Sequence, residues 1–132
     1  MKTGIIGGIR WLVLIAGIFF FREETLLFAA DLREIDSAAL SRMMADGRPL
    51  TIVDVREPDE FANGHIRGAM NIPYNPAKTR ILKELKPADR IVFVCHGGPM
   101  GHELGNLLAK KGYPEVYNLS GGMKKWRGAI EK

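Results

Sequence analysis

The sequence predicts an α/β protein with a mostly parallel central sheet flanked by helices, preceded by an N-terminal hydrophobic segment. Three short runs carry this prediction, because residues 50–55, 90–94 and 116–119 are rich in apolar side chains and show little polar alternation. Short continuous apolar runs are typical of strands buried on both faces of a parallel sheet. Helical patterns separate these runs, and strands that alternate with helices indicate a mostly parallel sheet.

Local signals place each element in turn. An N-cap at Asp36-Ser37 and the glycine at position 47 bound the first helix, which precedes the strand over residues 50–55. Pro58, among acidic residues, begins a short helix. The remaining predictions are a strand over residues 69–72, a helix over 79–85, the strand 90–94, a helix that ends before Gly112, the strand 116–119, and a last helix that begins at Met123 after a glycine turn.

Composition predicts one compact domain over residues 31–132. A hydrophobic content of 46% and a charged content of 26% are those of a globular domain with a core. The net charge of +4 is modest and its Lys and Arg residues are scattered, so we expect no nucleic-acid partner. The single cysteine excludes a disulfide within the chain. We expect a monomer.

Residues 1–30 are expected to form a signal or membrane-anchor segment. Residues 4–21 are apolar except for Arg10, and Arg22 with two glutamates follows them. As a signal peptide the segment has a suitable short apolar region, but Ala29-Ala30 lies far from that region for a cleavage site. As an anchor, a helix over residues 4–21 would be about 27 Å long, close to the ~30 Å hydrocarbon core.

Arg10 opposes the anchor, since an arginine in mid-membrane costs roughly 2.5–3.5 kcal/mol. A buried helix of a soluble protein is the third alternative for this segment. If the segment is a signal peptide or an anchor, Lys2 and Arg10 would keep the N-terminal end of the segment in the cytoplasm. We therefore expect residues 31–132 to be exported, periplasmic or membrane-anchored outside the cytoplasm, with membrane association through residues 4–21.

Cys95 is the most informative single residue. It ends the apolar run and opens a glycine-rich stretch, after which Leu104, Leu107 and Leu108 lie on one face of a predicted helix. A strand, a tight loop and a helix place a thiol over backbone N–H groups, where anions and a nucleophilic thiolate are stabilised. A buried structural cysteine at a strand end fits the same local pattern.

With these residues in place, the chain resembles the rhodanese family of sulfurtransferases. Three segments carry the resemblance: residues 52–61 with 64–73, residues 92–95 with the glycine-rich loop, and residues 112–113 and 116–122 with Trp126. The resemblance implies a single rhodanese-like domain in which Cys95 is catalytic and becomes a persulfide. The implied reaction moves sulfane sulfur from a small donor, thiosulfate or a persulfide, to a thiol or cyanide acceptor.

The resemblance also implies that the loop after Cys95 binds the substrate. Many family loops carry an arginine, a lysine or a serine in the later positions. Here no Lys or Arg follows Cys95 until Lys110, and Pro99 lacks an N–H donor. This departure favours a persulfide donor over thiosulfate. The substrate-binding candidates are His96, Gly97, Gly98, Met100, Gly101 and His102.

Other polar residues are expected to be structural. Asp54 and Arg56 stand at a strand end and suggest an internal ion pair near the site, while the resemblance makes His65 a structural hydrogen-bonding residue. Trp126 is expected to pack in the core. No partners for a metal are visible at ligand spacing, so we expect no metal and no cofactor.

Two other functions remain as alternatives. Cysteine phosphatases and arsenate reductases of rhodanese-like fold need an arginine six residues after the cysteine to grip an oxyanion, and that position is Gly101. A non-catalytic rhodanese-like module would use Cys95 to carry sulfur, to sense oxidation or to bind a partner. The arginine-free loop is compatible with that second alternative.

Overall fold

Residues 30–132 are described by a computed structural model. The apolar part of the predicted signal or anchor segment, residues 4–21, lies outside the described residues. From residue 30 onward, no helix is both long and apolar enough to cross a bilayer.

The helices and strands of the described residues alternate along the chain. In order they are β1 (Arg33–Ile35), α1 (Ser37–Ala45), β2 (Thr51–Asp54), α2 (Pro58–Asn63), β3 (His65–Ile66), β4 (Met70–Asn71), α3 (Tyr74–Glu84), β5 (Ile91–Val94), α4 (Pro99–Lys110), β6 (Val116–Leu119), α5 (Gly122–Lys125) and β7 (Ile130–Glu131). Five strands form one sheet in the order β1-β6-β5-β2-β4, and all neighbouring pairs in it are parallel. The predicted α/β class with a mostly parallel sheet is confirmed.

Strand β5 lies at the centre of the sheet and is buried on both faces. Ile91 and Phe93 pack on the face that α3 and α4 cover, whereas Val92 and Val94 pack on the opposite face with Leu40 of α1. This two-sided burial explains why the run has no polar alternation. Trp126 is buried in the same cluster as Leu40 of α1, so the prediction that it packs in the core is confirmed.

The helix starts follow their sequence signals to within one residue, with α3 as the exception. The Asp36 side chain accepts a hydrogen bond from the Ala39 N–H at 2.8 Å, which makes it the N-cap of α1. Helix α3 begins at Tyr74 rather than at Thr79. Pro76 falls in its first turn, where a missing N–H breaks no intrahelical hydrogen bond, so the proline does not exclude the earlier start.

The sequence did not predict three short strands. β1 has three residues and lies at the sheet edge, and Arg33 and Glu34 are exposed there. β3 and β7 have two residues each and pair only with one another, antiparallel. Segments this short carry no periodicity, and only their pairing with a distant segment makes them strands.

Candidate active site

Cys95 follows the central strand directly, at the carboxyl end of the parallel sheet. This end is where open α/β sheets place their ligands. The side chain is 1% exposed, and its thiol is free. The cysteine packs on the same sheet face as Phe93, toward α3 and α4. Its sulfur is therefore held below the surface, next to the loop that follows.

The loop turns back over the sulfur at Gly98. The N–H of Gly98 donates a hydrogen bond to Cys95 Sγ at 2.9 Å. Gly98 has φ 120° and ψ −40° and is the N-cap of α4, a conformation that residues with a Cβ rarely adopt. Glycine at this position therefore allows the backbone donor to point at the sulfur.

Helix α4 supplies further N–H groups beside this donor. The first turn of a helix leaves N–H groups without intrahelical acceptors, and no side chain caps this one. Pro99 occupies the first turn and has no N–H, so the remaining free donors there are those of Met100 and Gly101. Together with the helix dipole they favour negative charge near the loop.

A second chain segment holds the loop from below. The Met123 N–H donates to the Cys95 carbonyl at 2.9 Å, and the Lys124 N–H donates to the His96 carbonyl at 3.1 Å. Gly122 permits this approach, because a Cβ at that position would lie 2.2 Å from the Cys95 oxygen. The glycine turn after β6 is thus part of the site's support.

The substrate-binding candidates occupy different environments. His96 and Gly97 are exposed at the loop tip, whereas Met100 is half-buried and packs against the core cluster that contains Cys95. Gly101 is buried, and a Cβ there would lie 2.2 Å from Asn118 Oδ1 and 3.1 Å from Phe93 Cβ. A side chain at position 101 would therefore point into the sheet, where a phosphatase-type arginine could not serve the loop.

His102 belongs to a polar cluster beside the loop. Its Nδ1 lies 2.5 Å from Glu34 Oε1, and Glu34 also accepts from Asn118 Nδ2 and from Ser120 Oγ. Burial raises the pKa of Glu34, but the hydrogen bonds from His102, Asn118 and Ser120 outweigh it and hold that pKa below its ordinary value. A cavity of about 260 Å³ opens here, lined by Glu34, Gly97, Gly98, Pro99, His102, Asn118, Ser120 and Gly121.

Asp54 and Arg56 form a buried ion pair. Arg56 Nη2 donates to Asp54 Oδ2 at 2.8 Å and Arg56 Nε donates to Asp54 Oδ1 at 3.1 Å, and the two side chains are 8% and 0% exposed. Arg56 Nη2 also donates to the Gly64 carbonyl at 2.8 Å. These hydrogen bonds hold the Arg56 guanidinium within the fold.

His65 also contacts the protein itself. Its ring stacks on Phe61 with the two ring centroids 3.7 Å apart, and its Nδ1 lies 2.8 Å from the Phe61 carbonyl oxygen. Its Nε2 lies 3.5 Å from Glu131 on β7. Within residues 30–132, no group of three or more His, Cys, Asp or Glu side chains is placed to hold a metal.

Sequence reasoning missed three residues of this region: Glu34, Asn118 and Gly122. Glu34 and Asn118 are partners in the register of β1 and β6, which brings together residues far apart in the chain. No local pattern marks either one. Gly122 had a visible signal, the Gly121-Gly122 pair, but it predicted only a turn.

The protein is thus an α/β domain with a parallel sheet, a buried thiol at the end of the central strand and a backbone N–H that donates to the sulfur. Residues 36–129 match the family of the rhodanese-like domain, and the chain belongs to that family. The resemblance noted in the three sequence segments is confirmed.

Relatives that match the chain include proteins named for sulfur transfer. YqhL of Bacillus subtilis (strain 168), an uncharacterized protein, is 40% identical over 64% of this chain and 66% of its own length. A sulfurtransferase of Allochromatium vinosum is 34% identical over 70% of this chain and 86% of its own. The thiosulfate sulfurtransferase GlpE of Shewanella oneidensis is 31% identical over 65% of this chain and 84% of its own. The chain thus spans just under two thirds of YqhL, and its relatives support sulfur transfer at a general level.

Solved structures share the fold. A rhodanese-like domain protein from Staphylococcus aureus superimposes with a TM-score of 0.68 and 28% identity over 76% of this chain and 97% of that one. The reduced CoADR-RHD of Bacillus anthracis matches with a TM-score of 0.63 and 32% identity over 70% of this chain. This chain spans 16% of the latter protein.

Proposed function

We propose that this domain is a rhodanese-type sulfurtransferase that moves sulfane sulfur through a persulfide on Cys95. The observation that carries the proposal is the hydrogen bond from the Gly98 N–H to Cys95 Sγ at 2.9 Å, in a member of the rhodanese-like family. A thiol that receives a backbone donor at a helix start is suited to be a thiolate nucleophile.

The reaction divides into two displacements. In the first, the Cys95 thiolate attacks the outer sulfur of the donor. The donor's S–S bond breaks, and its electron pair leaves with sulfite when the donor is thiosulfate. In the second, cyanide or a thiolate attacks the terminal sulfur of the persulfide and regenerates the Cys95 thiolate. Sulfur leaves as thiocyanate or as a new persulfide, so no external oxidant or reductant is needed.

The loop stabilises the charge that both steps carry on sulfur. A persulfide is an anion, and the Gly98 N–H is a fixed donor to the Cys95 sulfur. The N–H groups of Met100 and Gly101 lie in the first turn of α4, where helices favour negative charge. Such preorganised donors need no reorganisation during the transfer. The chain's own contribution is therefore electrostatic and is made by backbone groups.

The natural donor is proposed to be a persulfide rather than thiosulfate. Thiosulfate is a dianion and gains from a fixed cation, but no Lys or Arg lies between Cys95 and Lys110. Arg56 is occupied by Asp54 and by the Gly64 carbonyl. A persulfide group carries a single negative charge at its sulfur atoms and places less demand on a cationic loop.

The test is sulfur transfer by the full chain and by Cys95→Ala. Incubation with thiosulfate or glutathione persulfide should add one sulfur to the intact mass of the wild type, and cyanide should then release thiocyanate. Cys95→Ala should gain no sulfur and form no thiocyanate beyond the reaction without protein, while cooperative thermal unfolding shows that it remains folded. Thiocyanate formation by Cys95→Ala above the rate measured without protein would refute the proposal.

The same measurements separate an enzyme from a sulfur-carrying module, the second candidate, with which the arginine-free loop is compatible. A carrier would gain one sulfur in a single event but would not turn over with excess donor and acceptor. An enzyme would release thiocyanate or a new persulfide in amounts well above its own concentration.

We further propose that residues 4–21 direct the domain across a membrane or tether it there. The support is the apolar composition of that segment and the basic residues Lys2 and Arg10. A reporter that is active only outside the cytoplasm, fused after Lys132, should be active with the wild-type chain and inactive with Leu14→Asp. An inactive wild-type fusion would refute this placement.

A further inference from the structure

We propose that Glu34, acting through Asn118, is a positioning residue for the sulfur-binding loop. Its carboxylate orients the Asn118 amide, which holds the Gly98 carbonyl and with it the N–H donor to Cys95. This inference rests on the proposed role of Cys95 in sulfur transfer.

Gly98 is held on both of its sides. Its N–H donates to Cys95 Sγ at 2.9 Å. Its carbonyl accepts from the His102 N–H at 3.0 Å and from Asn118 Nδ2 at 3.1 Å. Gly98 has positive φ and no side chain of its own to restrain it. The Asn118 amide therefore supplies a restraint from outside the loop, across from β6.

Glu34 determines which way the Asn118 amide faces. Asn118 Nδ2 donates to both carboxylate oxygens of Glu34, at 3.1 and 3.0 Å, and a carboxylate can only accept. With the amide turned over, Asn118 Oδ1 would face the carboxylate and the Gly98 carbonyl, three acceptors without a proton between them. Glu34 thus selects the amide orientation that serves Gly98.

This amide orientation destabilises the fold, so fold stability alone does not explain why asparagine stands at position 118. Asn118 is 1% exposed, and its Oδ1 is one of two buried side-chain atoms in residues 30–132 without a hydrogen-bond partner. A buried acceptor left unpaired destabilises a fold by about 1–3 kcal/mol. An apolar residue at position 118 would avoid that cost, but it could not hold the Gly98 carbonyl.

Glu34 is itself fixed from two directions. Ser120 Oγ donates to its Oε2 at 2.9 Å, and His102 Nδ1 lies 2.5 Å from its Oε1. His102 stands in the first turns of α4, so the carboxylate connects the edge strand β1 to the helix that follows the loop. The arrangement forms one continuous network from β1 through β6 to Gly98.

The decisive comparison is Glu34→Gln against Glu34→Ala in the full chain. Both variants remove the negative charge, but only glutamine keeps an oxygen that can accept from Asn118 Nδ2. The measurement is the rate of Cys95 alkylation by iodoacetamide as a function of pH. It reports on the thiolate and requires no sulfur transfer.

We expect Glu34→Ala to be alkylated about three- to tenfold more slowly than Glu34→Gln near neutral pH, with half-maximal alkylation at a higher pH. This range corresponds to weakening one hydrogen bond to a charged group. A less stabilised thiolate is intrinsically more nucleophilic, but that gain only partly offsets the smaller thiolate fraction. Identical pH profiles for the two variants would overturn the proposal.

A double-mutant comparison tests whether Glu34 acts through Asn118. Adding Glu34→Ala to Asn118→Ala should slow alkylation no further than Asn118→Ala alone, whereas independent effects would multiply. Arg33→Ala is the matched control on the same edge strand, because Arg33 contacts Tyr117 instead and should leave the alkylation profile unchanged. A multiplicative double variant would overturn the relay through Asn118.

If Asn118→Ala does not fold, the comparison of Glu34→Gln with Glu34→Ala still tests the positioning role. The two proposals also fail separately. A wild type that takes up no sulfur, with an alkylation difference between the Glu34 variants, would refute sulfur transfer and leave the positioning role intact. Sulfur transfer without that difference would do the reverse.

Discussion

Gly122 lies so close to Cys95 that a Cβ at position 122 would stand 2.2 Å from the Cys95 carbonyl oxygen. The same oxygen accepts a hydrogen bond from the Met123 N–H at 2.9 Å. The turn after β6 and the end of β5 therefore form a single backbone unit next to Cys95.

Gly122→Ala is expected to disturb this unit. The new methyl group meets backbone atoms that cannot rotate away, and φ at this position is +54°, so we expect a loss of roughly 2 kcal/mol or more in the free energy of unfolding. Denaturant unfolding measures it. Gly97→Ala is the control, because no atom lies within 4 Å of its Cβ position, and it should cost less than about 0.5 kcal/mol. Equal costs would contradict the close approach.

Met100→Arg is expected to lower the Michaelis constant for thiosulfate. The substitution adds a cation to a loop that has none before Lys110, and a charge-assisted hydrogen bond is worth about 1.5–3 kcal/mol, less at a partly exposed site. Steady-state thiocyanate formation gives the constant, with Met100→Leu as the neutral control. Gly101 is unsuitable for this test because its side chain would collide with Asn118. An unchanged constant in a folded Met100→Arg variant would show that loop charge does not limit thiosulfate binding.

Arg56→Met is expected to destabilise the domain by about 3–5 kcal/mol, because it leaves the buried Asp54 carboxylate without its cation. The Asp54 side chain is 0% exposed. Arg48→Ala provides the contrast, since Arg48 pairs with Glu115 while 57% exposed and should cost at most about 1 kcal/mol. Urea unfolding of both variants checks the difference. A small loss for Arg56→Met would mean that Asp54 finds another partner.

Asp46→Asn is expected to flatten the loss of stability in acid. The hydrogen bond from the Arg90 guanidinium, followed by that from the Arg48 N–H, lowers the pKa of Asp46 from its ordinary value of 3.8. The folded state therefore binds this proton less readily than the unfolded state. The stabilisation is present above pH 3.8 and is lost as the pH falls through the lower folded pKa. Melting temperatures between about pH 6 and pH 2.5 should fall less steeply in the variant, and parallel curves would contradict this role.

Local sequence signals were sufficient for the central part of the fold. Residues 50–55 are mostly apolar and residues 91–94 wholly apolar because β2 and β5 are covered on both faces, and burial on both faces leaves a pattern that a single segment displays. The edge elements were not predictable in this way. β1 has two exposed residues, and its strand conformation comes from pairing with β6.

The sequence by itself determined the local setting of Cys95, since strand, glycine-rich loop and helix are consecutive along the chain around it. Only the tertiary structure decided what holds that loop. Glu34 and Asn118 are 84 residues apart in the chain, yet their side chains form a hydrogen bond. Gly122 follows α4 and β6 in the chain and lies against the Cys95 carbonyl. The physical reason is that a backbone donor can be anticipated from chain order, whereas strand register brings together side chains that no local pattern connects.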